Sequence, residues 1–211
     1  SGRNSGVLHA GIYYTPESMK ARCCLAGNRM MKEYCREKNL PLFESGKVIV
    51  AQNESELDIL HSLYLRARTN GADVKLIDEK ELSQIEPSAS TAGKALWSPE
   101  TTTIDPKLIM KSLYNELKNT AGINILSGTR FTGLKKSDTV RTTKGDIRFG
   151  TFINAAGAFS DKVAHAFNVG RRYTLIPFRG TYYTLKPTAG LDIRGNIYPV
   201  PDPRNPFLGV H

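Results

Sequence analysis

Apolar positions along this chain switch repeatedly between helical and extended spacing, and the pattern predicts a mixed α/β fold. Thr15-Pro16-Glu17 carries the marks of a helix start: a capping hydroxyl, a proline at the first helical position and an acid in the first turn. That helix is expected to reach about Lys38, where Asn39 and Pro41 stop it. Lys47 to Ala51, built on Val48, Ile49 and Val50, reads as a short strand. Asn53-Glu54-Ser55-Glu56 resembles a capping box ahead of a helix with Leu57, Leu60 and Tyr64 on one face and Gly71 at its end. Asn53-Glu54-Ser55 is also a glycosylation sequon, but the cap already explains those residues.

Further on, Val74 to Ile77 reads as a strand, Asp78 to Ile85 as a short helix stopped by Pro87, and Ala95 to Trp97 as a brief strand. Asp105-Pro106 opens a helix whose Ile109, Leu113 and Leu117 form an i, i+4, i+8 stripe, closed by Gly122. Strands are then expected over Ile123–Leu126, Arg130–Leu134, Thr139–Thr143 and Ile147–Ile153, with Thr143-Lys144-Gly145-Asp146 as a turn. Asn154-Ala155-Ala156-Gly157 joins the last of these to a helix from about Ser160 to Phe167. Two more strands are expected, Tyr173–Phe178 and Thr181–Leu185, before a proline-rich loop from Tyr198 to Pro206.

Composition narrows the class without naming a function. The chain has 211 residues, enough for one large domain or two small ones, and its 18 Gly, 11 Pro and 3 Cys exclude collagen-like and disulfide-scaffold classes. No apolar run reaches the length of a membrane span. The net charge of +9 favours an anionic partner. Lys and Arg are nevertheless scattered, without a basic aromatic stripe, so nucleic acid is not expected. Cys23, Cys24 and Cys35 form no C-x-x-C and are expected as buried thiols in a reducing compartment. The opening Ser1-Gly2-Arg3 without Met, and a close inside an apparent strand at His211, suggest a piece of a longer chain.

Four segments are candidates for chemistry, each with a bland alternative. In the first, Gly2, Gly6 and Gly11 punctuate small polar residues and His9; bare amides there suit an anion or a planar ring, and an ordinary turn needs the same glycines. In the second, Asn154 to Gly157 places small residues at a strand-to-helix junction, suited to a phosphate or to tight packing. The third is Arg179 beside Gly180, suited to a carboxylate or to a plain surface charge. The fourth runs from Tyr198 to His211, whose imidazole is either a general base or structural. Several motifs are absent: no two glycines are two residues apart, so G-x-G-x-x-G is missing, and there is no P-loop, H-E-x-x-H or G-x-S-x-G.

Taken in order, SGRNSGVLHAGIYY at 1–14, Ser45-Gly46-Lys47, Asn154-Ala155-Ala156-Gly157, Pro177-Phe178-Arg179-Gly180, Tyr198 to Pro203 and Pro206 to His211 resemble the L-2-hydroxyglutarate dehydrogenases and oxidases. These belong to the D-amino-acid-oxidase-like FAD-dependent oxidoreductases. The Asn-Ala-Ala-Gly element is widespread in that superfamily; the first and last strings are specific to the hydroxyglutarate branch. The resemblance implies part of a Rossmann-like FAD-binding domain with a mixed, largely antiparallel substrate-binding sheet. Residues 1–40 and 105–170 would belong to the former and residues 41–104 and 171–211 to the latter, with the dinucleotide fingerprint and a C-terminal segment outside this stretch.

By the same resemblance, Arg3, Asn4, Ser5, Gly6, Asn154, Ala155, Ala156 and Gly157 would contact FAD. Arg179 would clamp a substrate carboxylate, Tyr14 would line the pocket, and His9 or His211 would be the base. The implied reaction oxidises L-2-hydroxyglutarate to 2-oxoglutarate by hydride transfer to flavin N5, with a quinone or oxygen as electron acceptor. This fragment alone would be inactive. The implied setting is the cytoplasm or the periphery of an inner membrane in a bacterium, and the mitochondrion in a eukaryote. An amine, an amino acid or glycerol 3-phosphate are the alternative substrates, and a non-catalytic anion-binding module is the alternative of another class.

Overall fold

The computed structural model describes residues 4–177 and 181–201. In chain order the regular elements are β1 (Val7–Leu8), α1 (Met19–Glu37), β2 (Leu42–Phe43), β3 (Lys47–Val50), α2 (Leu57–Thr69), β4 (Lys75–Asp78), α3 (Glu79–Ile85), β5 (Lys94–Ser98), β6 (Thr102–Ile104), α4 (Pro106–Asn119), β7 (Phe131–Lys136), β8 (Thr139–Thr142), β9 (Gly145–Arg148), α5 (Ser160–Ala166) and β10 (Asn196–Pro199). They form two compact units, one running to Asn119 and resuming at Thr184, the other spanning Thr120–Tyr183.

The first unit is built on a four-stranded sheet in the order β10-β3-β5-β4. β10 lies parallel to β3, with Asn196 opposite Lys47, and the other pairs are antiparallel. Both faces of β3 are covered, which is why it reads as an unbroken apolar run rather than an alternation. On one face Ile49, Ala51 and Leu96 pack against Leu60, Leu63 and Ala67 of α2, with Ile12 and Val200. On the other, Val48, Ile77 and Ala95 pack against Leu82 of α3. A second sheet, β1-β6-β2, is antiparallel and short.

Helix starts follow side-chain hydrogen bonding more closely than the sequence pattern does. α1 begins three residues later than Thr15 suggests, because Glu17 takes φ +64 and the Ser18 hydroxyl accepts the Ala21 N–H. Asn39 at φ +51 ends it as expected. The Asn53 side chain does not cap; a 3-10 turn at Glu54–Glu56 leads into α2, and the Glu56 carboxylate reaches back to the Gln52 N–H. The full capping box lies instead at α3, between Asp78 and Glu81. α1 buries Ala21, Asn28, Lys32 and Cys35 on one face. Its polar members are paired: Asn28 Nδ2 donates to the Leu8 and Glu100 carbonyls, and Lys32 Nζ lies 2.6 Å from Glu100 Oε2. Of the three free thiols only Cys35 is buried; Cys24 is half-buried and Cys23 exposed, since Cys23 falls on the outer side of α1.

The second unit is an antiparallel meander, β7-β8-β9, closed by α5. Phe131, Phe149, Phe152 and Phe167 form its aromatic centre, with Phe152 and Phe167 stacked at 4.7 Å. Three expected strands are not formed, and a fourth, Ile147–Ile153, is formed only at Ile147 and Arg148 within β9. Residues 123–126, 150–153, 173–177 and 181–185 are irregular, because a strand needs a neighbouring strand and these segments pair with none among the described residues; the Phe149 N–H still reaches the Asp138 carbonyl as the chain leaves β9. Many of their apolar side chains are correspondingly exposed, Ile153 and Tyr183 most of all, while Phe152 turns into the aromatic centre. Phe178 lies outside the described residues. Conversely, Tyr198 and Pro199, expected to open a proline-rich loop, end the strand β10, with Pro199 closing it at the sheet edge.

Candidate active site

The segment on either side of β1 is glycine-bearing, and its structure explains much of that glycine locally. Gly6 has φ +75, and a Cβ there would stand 2.5 Å from the Ile104 carbonyl oxygen. Its N–H donates to Asn4 Oδ1 at 2.9 Å and its carbonyl accepts from the Ile104 N–H, so Gly6 ties the loop to β6. Ser5 Oγ accepts the Val7 N–H. Asn4 remains at the surface. Gly11, at φ +77, lets the loop run against Leu25 of α1.

From there the chain is pinned to the end of α2. Asn70 Nδ2 donates to the Gly11 and Tyr14 carbonyls, both at 2.8 Å, and the Arg66 guanidinium donates to the Tyr13 carbonyl at 3.2 Å. This fixes the path of residues 9–14 and brings their side chains together. The half-buried His9 ring meets Tyr13 and Tyr198 edge-on, both with centroids 6.3 Å away. Tyr14 is half-buried, with Lys20 Nζ 5.9 Å from its ring centre.

Behind these rings sits Lys47, fully buried at the head of β3. Its side chain shares the face of Ile49 and Ala51, as the two-residue period of a strand requires. Nζ donates to the Tyr13 hydroxyl at 3.2 Å and lies 4.4 Å from the Tyr13 ring centre and 5.1 Å from that of Tyr198. No carboxylate pairs with it among the described residues. Burial pushes the ammonium down to about 7, opposed by nearby Cys24. The electron-rich faces of the two tyrosines also favour the cation. Burial, with Tyr198 and Tyr14 adding to it, holds the Tyr13 hydroxyl well above the ordinary phenol range. Cys24 donates its S–H to the His9 carbonyl at 3.1 Å, and burial raises its thiol pKa.

Sequence reasoning passed over Lys47 as a chemical group. A lysine opening a Val-Ile-Val run on a strand with both faces covered is the signal that finds it, because a buried cation requires specific surroundings. The partner Tyr198 was readable only as a loop residue. A cleft of about 340 Å³ lies elsewhere in this unit, lined by Leu25, Asn28, Arg29, Asp73 and Glu100, and does not include the His9 cluster.

In the second unit, Asn154–Gly157 is exposed and irregular. Asn154 Oδ1 accepts the Ala156 N–H and Nδ2 donates to the Ser160 carbonyl, so this side chain organises the turn. Gly157 has φ +56, and open space lies where its Cβ would be. The strip is thus small, uncharged and accessible along its backbone, which fits close approach by the polar part of a nucleotide cofactor. Arg3, Arg179 and His211 lie outside the described residues. No cluster of metal ligands occurs among the described residues.

The mixed α/β architecture, largely antiparallel sheets and glycine-bearing loop agree with comparison against known proteins. The sequence pattern of DAO, FAD dependent oxidoreductase, matches residues 1–211, and the chain belongs to this FAD-dependent family. The chain is 39% identical to the mitochondrial L-2-hydroxyglutarate dehydrogenase of Caenorhabditis briggsae, over all of this chain and 50% of that protein. It is 36% identical to L-2-hydroxyglutarate dehydrogenase of Indibacter alkaliphilus, over all of this chain and 54% of that protein. Among solved structures, the FAD-bound L-alpha-glycerophosphate oxidase of Mycoplasma pneumoniae superposes with a TM-score of 0.74 at 21% identity, over 95% of this chain and 55% of that one. The chain spans about half the length of the relatives it matches.

Proposed function

We propose that this chain is the central part of an enzyme that oxidises L-2-hydroxyglutarate to 2-oxoglutarate. The observation that carries the reading is His9, held edge-on between Tyr13 and Tyr198 in the segment that most resembles the hydroxyglutarate branch. Whole-chain identity to L-2-hydroxyglutarate dehydrogenases supports it.

Bound FAD would supply the two-electron acceptor for the oxidation. His9 accepts the hydroxyl proton as the carbonyl forms, so one hydride and one proton leave the 2-hydroxy acid. Asn4, Ser5, Gly6 and Asn154 to Gly157 are the proposed cofactor contacts, with Arg3 adding positive charge. Tyr14 lines the substrate side, Arg179 clamps a carboxylate, and His211 is the second candidate for the base. The electron acceptor is a quinone or oxygen, and the basic surface suits contact with an anionic membrane face. No helix among the described residues is long and apolar enough to cross a membrane. The C. briggsae relative is labelled mitochondrial, and the same compartment is proposed here if the source is a eukaryote.

The test is anaerobic flavin reduction by the full-length protein. L-2-Hydroxyglutarate is expected to bleach the flavin, and His9→Asn to slow the bleaching by on the order of 100-fold or more, with His211→Asn as the parallel arm. Unchanged rates in both variants would sink the base assignment. Bleaching by an amino acid or glycerol 3-phosphate instead would replace the substrate.

A further inference from the structure

We propose that Lys47 is a positioning residue for His9: its side-chain nitrogen, seated between Tyr13 and Tyr198, fixes the two rings that meet the imidazole edge-on. The inference rests on the reading of His9 as the proton acceptor.

Several observations converge on it. Among the described residues Lys47 is the largest fully buried side chain of this unit, and an apolar residue there would fill the same space without the cost of desolvating an amine. It gives the buried Tyr13 hydroxyl a donor at 3.2 Å and touches the faces of both tyrosines, at 4.4 and 5.1 Å. Those same two rings are the aromatic neighbours of His9. The three contacts come from separate parts of the chain: Tyr13 from the loop, Lys47 from β3 and Tyr198 from β10. A single nitrogen therefore holds together elements that no covalent link keeps in place.

The arrangement is also sensitive to charge. The titratable groups around Nζ are Tyr13 from the loop, Cys24 from α1 and Tyr198 from β10, while Ser98 of β5 and Asn196 of β10 flank Lys47 along the sheet. Tyr13 and Cys24 do not ionise near neutrality, since burial raises both. Lys47, brought down to about 7, is the group that discharges there. Loss of the cation ends its attraction to both ring faces and loosens the pair around His9.

The experiment uses the full-length FAD-loaded protein with 13Cε1-labelled histidine, the His9 resonance being assigned by its loss in His9→Asn. Wild type is expected to show a step in the His9 shift near pH 7 that belongs to Lys47, on top of the change from protonation of the imidazole itself. Lys47→Met, which keeps an unbranched apolar stem, is expected to displace the resonance and abolish that step. It should also lower kcat at least tenfold while KM stays within threefold, and Lys47→Arg should restore part of the loss. An unmoved His9 resonance with an unchanged pH profile in Lys47→Met overturns the proposal. Should Lys47→Met fail to fold, Tyr13→Phe, which removes only the accepting hydroxyl, is expected to shift the same resonance, and no shift there overturns it equally. Full activity in His9→Asn would instead defeat the proton-acceptor reading, while a displaced resonance in the Lys47 variant would still establish positioning.

Discussion

Gly46 abuts the outer end of the Trp97 indole so closely that a Cβ on it would overlap the ring's Cη2. The position also has φ +69, and its backbone joins three elements. The N–H donates to the Thr101 carbonyl, and the carbonyl accepts from both the backbone and the Nδ2 of Asn196. Gly46→Ala is therefore expected to destabilise the fold through overpacking, about 1–3 kcal/mol, and through a left-handed backbone, roughly 1–2 kcal/mol more. A lowered urea midpoint at unchanged slope, read from Trp97 fluorescence, checks it; wild-type stability would contradict the packing described here.

Glu86, buried after α3, carries the second connection to β10. Its carboxylate accepts the Arg194 and Gly195 N–H groups, both at 2.8 Å, and the Ser88 N–H at 3.3 Å. Glu86→Ala leaves these donors without an acceptor, at about 1–3 kcal/mol for each that stays buried. Amide exchange should accelerate at residues 194–197 first, ahead of β5, which hydrogen–deuterium exchange resolves directly.

Lys47 makes stability depend on pH with a defined sign. Its pKa is lowered on folding, from 10.5 to about 7, so between those values the unfolded chain holds the proton that the folded chain has released. Stability from this group rises across that window and is lowest below about pH 7. Lys47→Met is accordingly expected to raise the urea midpoint relative to wild type most at pH 6.5, with the gain shrinking towards pH 10. A difference independent of pH would show that the amine is hydrated in solution.

Asn28 bridges the Leu8 and Glu100 carbonyls, both at 3.0 Å, from within a buried helix face. Asn28→Leu removes both donors and is expected to cost about 1–3 kcal/mol for each carbonyl left dry. Asn28→Asp should do no better, since a carboxylate cannot donate to them. Thermal unfolding of the two variants beside wild type makes the comparison.

The helices were legible because their apolar spacing is long, and α2, α3 and α4 sit within a residue or two of where the pattern puts them. The start of α1 was not, because Thr15-Pro16 and Ser18 both offer caps, and only the φ +64 of Glu17 decides between them. Strand propensity at Ile123–Leu126 and Tyr173–Ile176 was real, but a strand is a property of two segments, and no partner for either is present among the described residues. His9 and Tyr14 were readable as candidates from local context. Lys47 was not, since its chemistry depends on Tyr198, about 150 residues away in sequence and brought beside it by the parallel β3–β10 pairing.

That pairing also sets a timetable for synthesis. The hydrogen bond from Asn196 to Gly46 spans 150 residues, which at common translation speeds takes about 8 to 30 seconds to make. Until β10 emerges, β3 presents a bare apolar edge, and Lys47 lacks one wall of its cage. Strand addition by another chain is the hazard of such an interval. The last strand of the sheet is therefore also its guard, and a nascent chain stalled before Asn196 is the form of this protein most in need of a chaperone.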